Sequence, residues 1–562
     1  MSYKIINRYR LLALAAITLV AGCTKLNEKV LDESSVAGLT ARQQAEGIIA
    51  PVYAKLEDLT VHTGLFALQE ISTDEAILPF RGGTDWGDNG IYVQMHQHES
   101  ISADPNIRTT WNNILIGLSR AVTAMNSLPA NPDPDSKLFL AEARGMRAYY
   151  CLLTLDMFGL TFVKDNASET SKILRGEEAI AYIKAELLAV EPLLDNTTGP
   201  GRLTKAAIQG LLVRLYLNAA VYRDLYAQNF TFKSEDLDKV IEYCDKIISS
   251  GQYALSADYF SLFNDNNHTN KELIFAVDQR SDLNGHNRMA YFSLSGDQFP
   301  LTAYPLANGT DGAAITPDFY RTWVNAYAPL DPAAADPRFY KQNFVVPGDS
   351  CVPTATFNID RGILRGQQYG LIRDANRAFI KCGTSGLKVG KLFNTTRNKP
   401  NSPVNFTEQI DFSIAGSDYS TGYRVEKYEF SKTSVSGRNF GEHDIILLRL
   451  ADIYLMRAEA KLRKGDAAGA LADVNIVRAA RTSSKPAPAL TSITLDLLFR
   501  ERGFEFYWEM VRRPDMIRFG KYEGSWTEKS NKDVKKRVYP VPQTAIDGAS
   551  NLPGYLVQNT GY

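Results

Sequence analysis

Three carboxylates, Glu501, Glu505 and Glu509, recur every four residues beside Arg502, Arg512 and Arg513. Two acids facing each other across a cleft are what glycoside hydrolysis requires, so this is where such chemistry would first be sought. On a helix, however, the spacing stacks all three on one face, and with guanidinium groups beside them an ion-pair network is the better reading. Arg449, Asp452, Arg457 and Glu459 are read in the same way, as charges that fix helix packing. His96 and His98 flank Gln97 and would project from one side of a strand. No further cluster of ligands accompanies them, and no metal site is predicted. The chain carries no Gly-rich phosphate loop, no Gly-x-Ser-x-Gly elbow and no His-Glu-x-x-His. No cofactor is therefore expected, and binding is a simpler reading than catalysis.

Binding chemistry has a clearer address. Gly82, Gly83, Gly87 and Gly90 interrupt the stretch from Ser72 to Asp104, which also holds Asp85, Trp86, Asp88, Asn89 and Tyr92. Flat aromatic rings stack on the apolar C–H faces of sugars while amides and carboxylates take the hydroxyls. Trp86 with Asn89 is the leading candidate pair, with Asp85, Tyr92 and Tyr304 as neighbours. Phe299 and Trp323 are weaker candidates. Trp323 follows Phe319 and Tyr320 in a predicted helix, where core packing has the stronger claim on it.

A third chemistry sits at the N-terminus. Lys4, Arg8 and Arg10 precede an apolar run from Leu11 to Val20, the order of a secretion signal, and the run is too short to span a bilayer. It ends Leu19-Val20-Ala21-Gly22-Cys23, which resembles a bacterial lipobox, so Cys23 is expected to become the acylated N-terminus. Palmitate-type chains bring about 0.8 kcal/mol per buried CH₂ and would hold the protein at a membrane without a spanning helix. Of the other cysteines, Cys151 and Cys244 fall in helical patterns as inert core thiols, whereas Cys351 and Cys382 lie in a loop-rich stretch where they could pair. With 62 basic and 63 acidic residues and a net charge of -1, the chain favours neither nucleic acid nor an anionic bilayer as partner.

The elements that must position these residues are mostly helical. Helical patterns run from Thr40 to Leu59, Ile107 to Leu128, Ser136 to Phe158, Glu177 to Leu194, Thr204 to Tyr222 and Ser234 to Ser250, the last stopping at Gly251. From Tyr253 to Arg424 the pattern changes to short strands and Gly, Asn and Asp clusters. The helical frame returns with Leu447 to Lys464 and Ala467 to Arg481, joined by Gly465-Asp466 in the manner of a tetratricopeptide unit. The expected architecture is mainly α: a tetratricopeptide-like scaffold of helical pairs with a loop-rich, partly β insertion. Its division is a signal peptide over 1–22, a tether over 23–35 and one domain over 36–562, with the frame at about 36–252 and 440–520 and the insertion at about 253–439.

Several separated segments, in order, resemble one known family. They are Ala141-Glu142-Ala143-Arg144-Gly145-Met146-Arg147-Ala148-Tyr149-Tyr150 with Phe158-Gly159; Arg202-Leu203-Thr204-Lys205-Ala206-Ala207 leading to Arg214-Leu215-Tyr216-Leu217; and Asp336-Pro337-Arg338. They continue with Gly422-Tyr423-Arg424 and Lys427-Tyr428, the run from Leu448 to Ala460, Glu501-Arg502 with Phe504-Glu505, Arg513 with Asp515, Tyr539-Pro540-Val541-Pro542, and the terminal Gln558-Asn559-Thr560-Gly561-Tyr562. On these and the lipobox the chain resembles SusD/RagB outer-membrane lipoproteins. The resemblance implies a SusD-like fold and a nutrient-binding role, capturing a glycan or oligosaccharide at the cell exterior. It also implies a SusC-like TonB-dependent transporter as partner, with the binding loops in the Gly-rich stretch and the central insertion. The rival expectations are an extracellular helical glycoside hydrolase, a peptide-binding member, and a helical-repeat scaffold that binds proteins.

Overall fold

Helix formation follows the apolar spacing closely in this computed structural model, which describes residues 39–81, 90–128, 134–166, 168–279, 289–298, 309–310, 312–343, 350–353, 357–384, 386–394, 402–413, 417–431 and 441–562. The chain forms two units, Met1–Gln44 and Ala45–Tyr562. Cys23, Asp85, Trp86, Asn89, Phe299 and Tyr304 lie outside the described residues.

We number the main helices α1 (Ala41–Leu59), α2 (Pro105–Ser127), α3 (Pro134–Phe158), α4 (Gly176–Val190), α5 (Lys205–Arg223), α6 (Ser234–Ser249), α7 (Pro317–Tyr327), α8 (Leu450–Arg463), α9 (Ala467–Ala479), α10 (Leu495–Phe506) and α11 (Arg512–Arg518). Several of their starts are capped by the residues one would choose for it. Asp104 accepts the amides of Asn106 and Ile107, Thr204 that of Ala207, and Asp466 that of Gly469. After α6 comes Gly251 at φ +66°, a left-handed position that glycine adopts at little cost.

Consecutive helices from α2 to α6 pack pairwise, and α6 then packs on α8, which packs on α9. The helical pairs thus continue in space although residues 250–449 intervene in sequence. Close approach is built into the sequence. A methyl group on Gly210 of α5 would come within 2.1 Å of the Leu448 side chain. Among the described residues no helix is long and apolar enough to cross a membrane.

The intervening chain is strand-rich. We number β1 (Leu273–Val277), β2 (Tyr340–Lys341), β3 (Ser350–Pro353), β4 (Arg361–Leu364), β5 (Tyr369–Leu371), β6 (Lys381–Cys382), β7 (Gly386–Lys391), β8 (Arg424–Glu426) and β9 (Ile445–Arg449). β9 pairs antiparallel with β1, and β4 lies between β2 and β8. Here the sequence reading needs correction, because Leu447 and Leu448 end a strand rather than start a helix. Ile445 to Arg449 is buried throughout, and a short apolar run of this kind carries no period that tells strand from helix. Helix α8 begins only at Leu450.

β3 and β6 both pair with β7, where Lys388 faces Cys351 and Gly386 faces Cys382, and this register brings the two cysteines into a disulfide. Cys151 and Cys244 are free and buried, as their helical setting predicts.

The separated motifs of the sequence meet as ion pairs and hydrogen bonds. Glu142 of α3 is buried and accepts from Arg202 and from the Tyr53 hydroxyl. Asp452 of α8 bridges Arg214 of α5 and Arg502 of α10, each at 2.9 Å. Asn559 near the C-terminus donates to the carbonyls of Phe158 and Tyr539 at 3.0 and 2.7 Å.

Candidate functional site

The apparent acid/base face is a sealed electrostatic lock. Five cations, Arg338, Lys427, Arg449, Arg478 and Arg481, face five carboxylates, Glu272, Asp336, Glu501, Glu505 and Glu509. Arg449 Nη1 donates to Glu505 Oε1 at 2.6 Å and Glu272 Oε1 at 2.7 Å, while its Nε reaches Glu509 Oε2 at 2.8 Å. Arg338 Nη1 joins Glu501 Oε1 at 2.7 Å to Glu505 Oε2 at 3.0 Å. Burial alone would raise the Glu505 carboxyl, but Arg481, Arg449 and Arg338 hold it well below the usual carboxylate range. A carboxylate held ionised and shut away from solvent has no proton to give to a substrate. These charges are therefore structural, as the sequence suggests, but the expected partners are corrected: Arg502 pairs with Asp452 and Asp515, Arg512 with Asp74 and Arg513 with Asp156, and the glutamates take their cations from distant segments. The common helical face does not form either, because α10 ends at Phe506. Glu509 is carried instead by a turn whose Trp508 and Met510 have φ of 65° and 61°.

That turn is fastened to the stem of the Gly-rich stretch. The Trp508 amide donates to Glu75 Oε1 at 2.7 Å, and Arg512 Nε and Nη2 donate to Asp74 at 2.7 and 2.8 Å. Glu75 and Glu70 are both buried, the latter on a π-helical turn over Ala67–Ile71, a form frequent at functional sites. Burial pushes the Glu75 carboxyl up to about 7, although Arg512 and the Trp508 amide oppose it. Glu70 is raised well above the ordinary range by burial and by Glu75 beside it.

From Glu75 the chain runs to the segment that holds the leading candidates. Ala76 and Ile77 pair antiparallel with Ile315 and Ala314. The Arg81 guanidinium, fully buried, donates to the carbonyls of Gly312 at 2.8 Å, Asp418 at 2.9 Å and Thr421 at 2.5 Å. Beyond residues 299–308, Thr310 and Gly312 donate their amides to the carbonyls of Tyr291 and Phe292 at 2.9 and 3.0 Å. The residues that flank 82–89 and those that flank 299–308 therefore sit side by side, sharing a strand pair and one arginine. Neither Arg81 nor the Glu70 and Glu75 pair was singled out in the sequence. The available signal was position, since Arg81 immediately precedes the first glycines.

The two described candidates are core residues rather than ligand contacts. Tyr92 is 3% exposed and lies against Phe292. Trp323 is 0% exposed and stacks on Phe504 with ring centroids 3.7 Å apart. Enclosed rings offer no face to a sugar. His96 and His98 are also corrected: they lie at and after the end of a short helix, Ile91–His96, rather than along a strand. Each is buried among backbone carbonyls, His96 Nε2 2.8 Å from Thr527 O and His98 Nε2 2.8 Å from Ser72 O, and burial lowers both pKa values. Among the described residues no group of three or more His, Cys, Asp or Glu side chains is placed to hold a metal ion.

Comparison with known proteins adds to this geometry. The model of the SusD family matches residues 249–562, more than half of the chain. A curated relative, the starch-binding protein SusD of Bacteroides thetaiotaomicron, is 26% identical over 528 residues, which is 88% of this chain and 85% of that protein. Among solved structures, surface glycan-binding protein A of Bacteroides thetaiotaomicron in complex with laminarihexaose superposes with a TM-score of 0.62 at 18% identity, covering 92% of this chain and 99% of that one. A SusD superfamily protein of Parabacteroides distasonis gives a TM-score of 0.66 at 16% identity, covering 93% and 100%.

Proposed function

The chain belongs to the SusD family, and from that premise we propose that it is a surface lipoprotein that captures a glycan or oligosaccharide and passes it to a SusC-like TonB-dependent transporter of the outer membrane. The family match carries the reading. A relative named for starch binding and a similar fold solved with laminarihexaose support the carbohydrate class. In this reading residues 1–22 are the export signal, Cys23 carries the lipid at the outer membrane, 23–35 are the tether, and the rest of the chain faces the cell exterior.

We assign capture to Trp86 and Asn89, with Asp85 and Tyr304 as further ligand contacts. Support for grouping them comes from the adjacent stems: the chain leading into 82–89 and the chain leaving 299–308 are tied together by the strand pair at Ala76–Ile77 and by Arg81. Binding without catalysis is the reading we adopt, and the engagement of Glu505 by Arg449 and Arg481, at the place where hydrolysis would first be sought, supports it. Trp86→Ala tests the assignment by isothermal titration against whichever polysaccharide the wild type binds. Losing a stacked ring should weaken binding by about 1 to 3 kcal/mol, roughly ten- to hundredfold, with the melting temperature unchanged. Equal affinities would remove Trp86 from the site, and a large fall in melting temperature would place it in the core.

A further inference from the structure

Next to the loop stems the surface opens into a cleft of about 450 Å³, lined among others by Tyr340, Gln342, Asp360, Gln367, Tyr369 and Tyr423. Strand register assembles it. Tyr340 of β2 faces Gly362 of β4, Arg424 of β8 faces Leu364, and the chain leaving β4 supplies Gln367 and Tyr369. Its polar groups are held in place before any ligand arrives. The Tyr340 hydroxyl donates to Asp360 Oδ2 at 2.5 Å, and the Asn343 amide donates to Asp360 Oδ1 at 2.7 Å. The Gln367 side-chain amide donates to the carbonyls of Gln368 at 2.8 Å and Leu392 at 3.0 Å. Arg365 is committed as well, donating to Tyr320 at 3.2 Å and to Asp331 at 2.9 Å.

Half-buried tyrosine rings, side-chain amides and a carboxylate, with the cationic group already ion-paired, suit a neutral hydroxyl-rich ligand. Rings cover C–H faces, amides and carboxylates take hydroxyls, and fixed groups lose little freedom on binding. The cleft also adjoins the loop stems. Ile315 of the stem pair donates its amide to Tyr423 O at 3.1 Å, and Arg81 and Arg424 both donate to Thr421 O, at 2.5 and 2.7 Å. At Gly422, φ +77°, a methyl group would stand 2.6 Å from the Ala314 side chain, so the turn presses against the stem.

We propose that this cleft is a second oligosaccharide subsite, occupied by the part of a long glycan that extends past the loop site. The proposal rests on the carbohydrate reading above. The test uses the full mature chain and titrates laminarin, starch, xylan and mannan, together with short fragments of whichever is bound. Tyr369→Ala should weaken polysaccharide binding about tenfold. Gln342→Ala, at an exposed position, should weaken it severalfold and stands in should Tyr369→Ala fail to fold. Both should leave short fragments nearly unaffected, because the loop site alone holds those. If both variants bind polysaccharide like the wild type while Trp86→Ala loses affinity, the cleft is refuted and the loop reading survives. If the cleft variants lose affinity and Trp86→Ala does not, the cleft stands and the loop assignment falls. A wild type that binds none of the four polysaccharides overturns both.

Discussion

Individual residues in this protein are governed by how burial sets their charge. Two acids only a few positions from the candidate loop, Glu70 and Glu75, are raised by burial, whereas the carboxylate of Glu459 is held down to about 2 by Arg518 and Arg463 against its burial. The two cases have opposite signs in stability. For Glu75 the folded value of about 7 lies above the unfolded value of 4.5, so its contribution is fully present below about pH 4.5 and is lost as pH rises through about 7. For Glu459 the contribution is present above 4.5 and is lost as pH falls through about 2. Glu75→Gln should therefore gain stability relative to wild type between pH 5 and pH 8, read as a difference in melting temperature that grows with pH. A difference that is flat, or that shrinks with rising pH, would show that Glu75 is ionised throughout. Residue identity did not reveal this. Glu75 looks like any surface acid until the strand pair and Trp508 close over it.

At the scale of elements, the ion pairs take the place of an all-apolar core where α10, β9, α9 and the segment before β2 converge. Glu505 alone accepts from Arg338, Arg449 and Arg481. Removing one partner of a buried network leaves uncompensated charge, so Glu505→Gln should cost about 3 to 5 kcal/mol of unfolding free energy, measured as a lower urea midpoint, with ligand affinity unchanged in the folded fraction. A stable variant with altered affinity would place Glu505 in the binding machinery instead. The acidic half of the lock was legible in sequence because Glu501, Glu505 and Glu509 recur every four residues, whereas its cations, Arg338, Lys427, Arg449, Arg478 and Arg481, come from distant segments and not from the neighbouring Arg502, Arg512 and Arg513. The exact geometry of the lock was not legible, since the helix stops at Phe506 and Glu509 is delivered by a left-handed turn. The long helices were legible from a sustained 3.6-residue apolar period, with capping residues at several of their starts. Strand β9 was not, because five buried residues carry no period.

Within Ala45–Tyr562 the described residues form a run of helical pairs interrupted by residues 250–449, and that interruption and the 72–104 stretch meet at the Ala76–Ile77 and Ala314–Ile315 pair. Sequence reading found the frame and the family. It left the cleft unnoticed because Tyr340, Tyr369 and Tyr423 lie apart in sequence and are gathered by the order β8, β4, β2 together with the chain that leaves β4 for β5. The proposed function is capture without turnover on an electrostatically locked frame. The measurement that tests it most directly is titration of the full mature chain against a polysaccharide panel, followed by chromatographic sizing of the recovered glycan. Saturable binding of at least one polysaccharide, with its chain length unchanged after prolonged incubation, is the predicted result; shortened chains, or no binding across the panel, would contradict it.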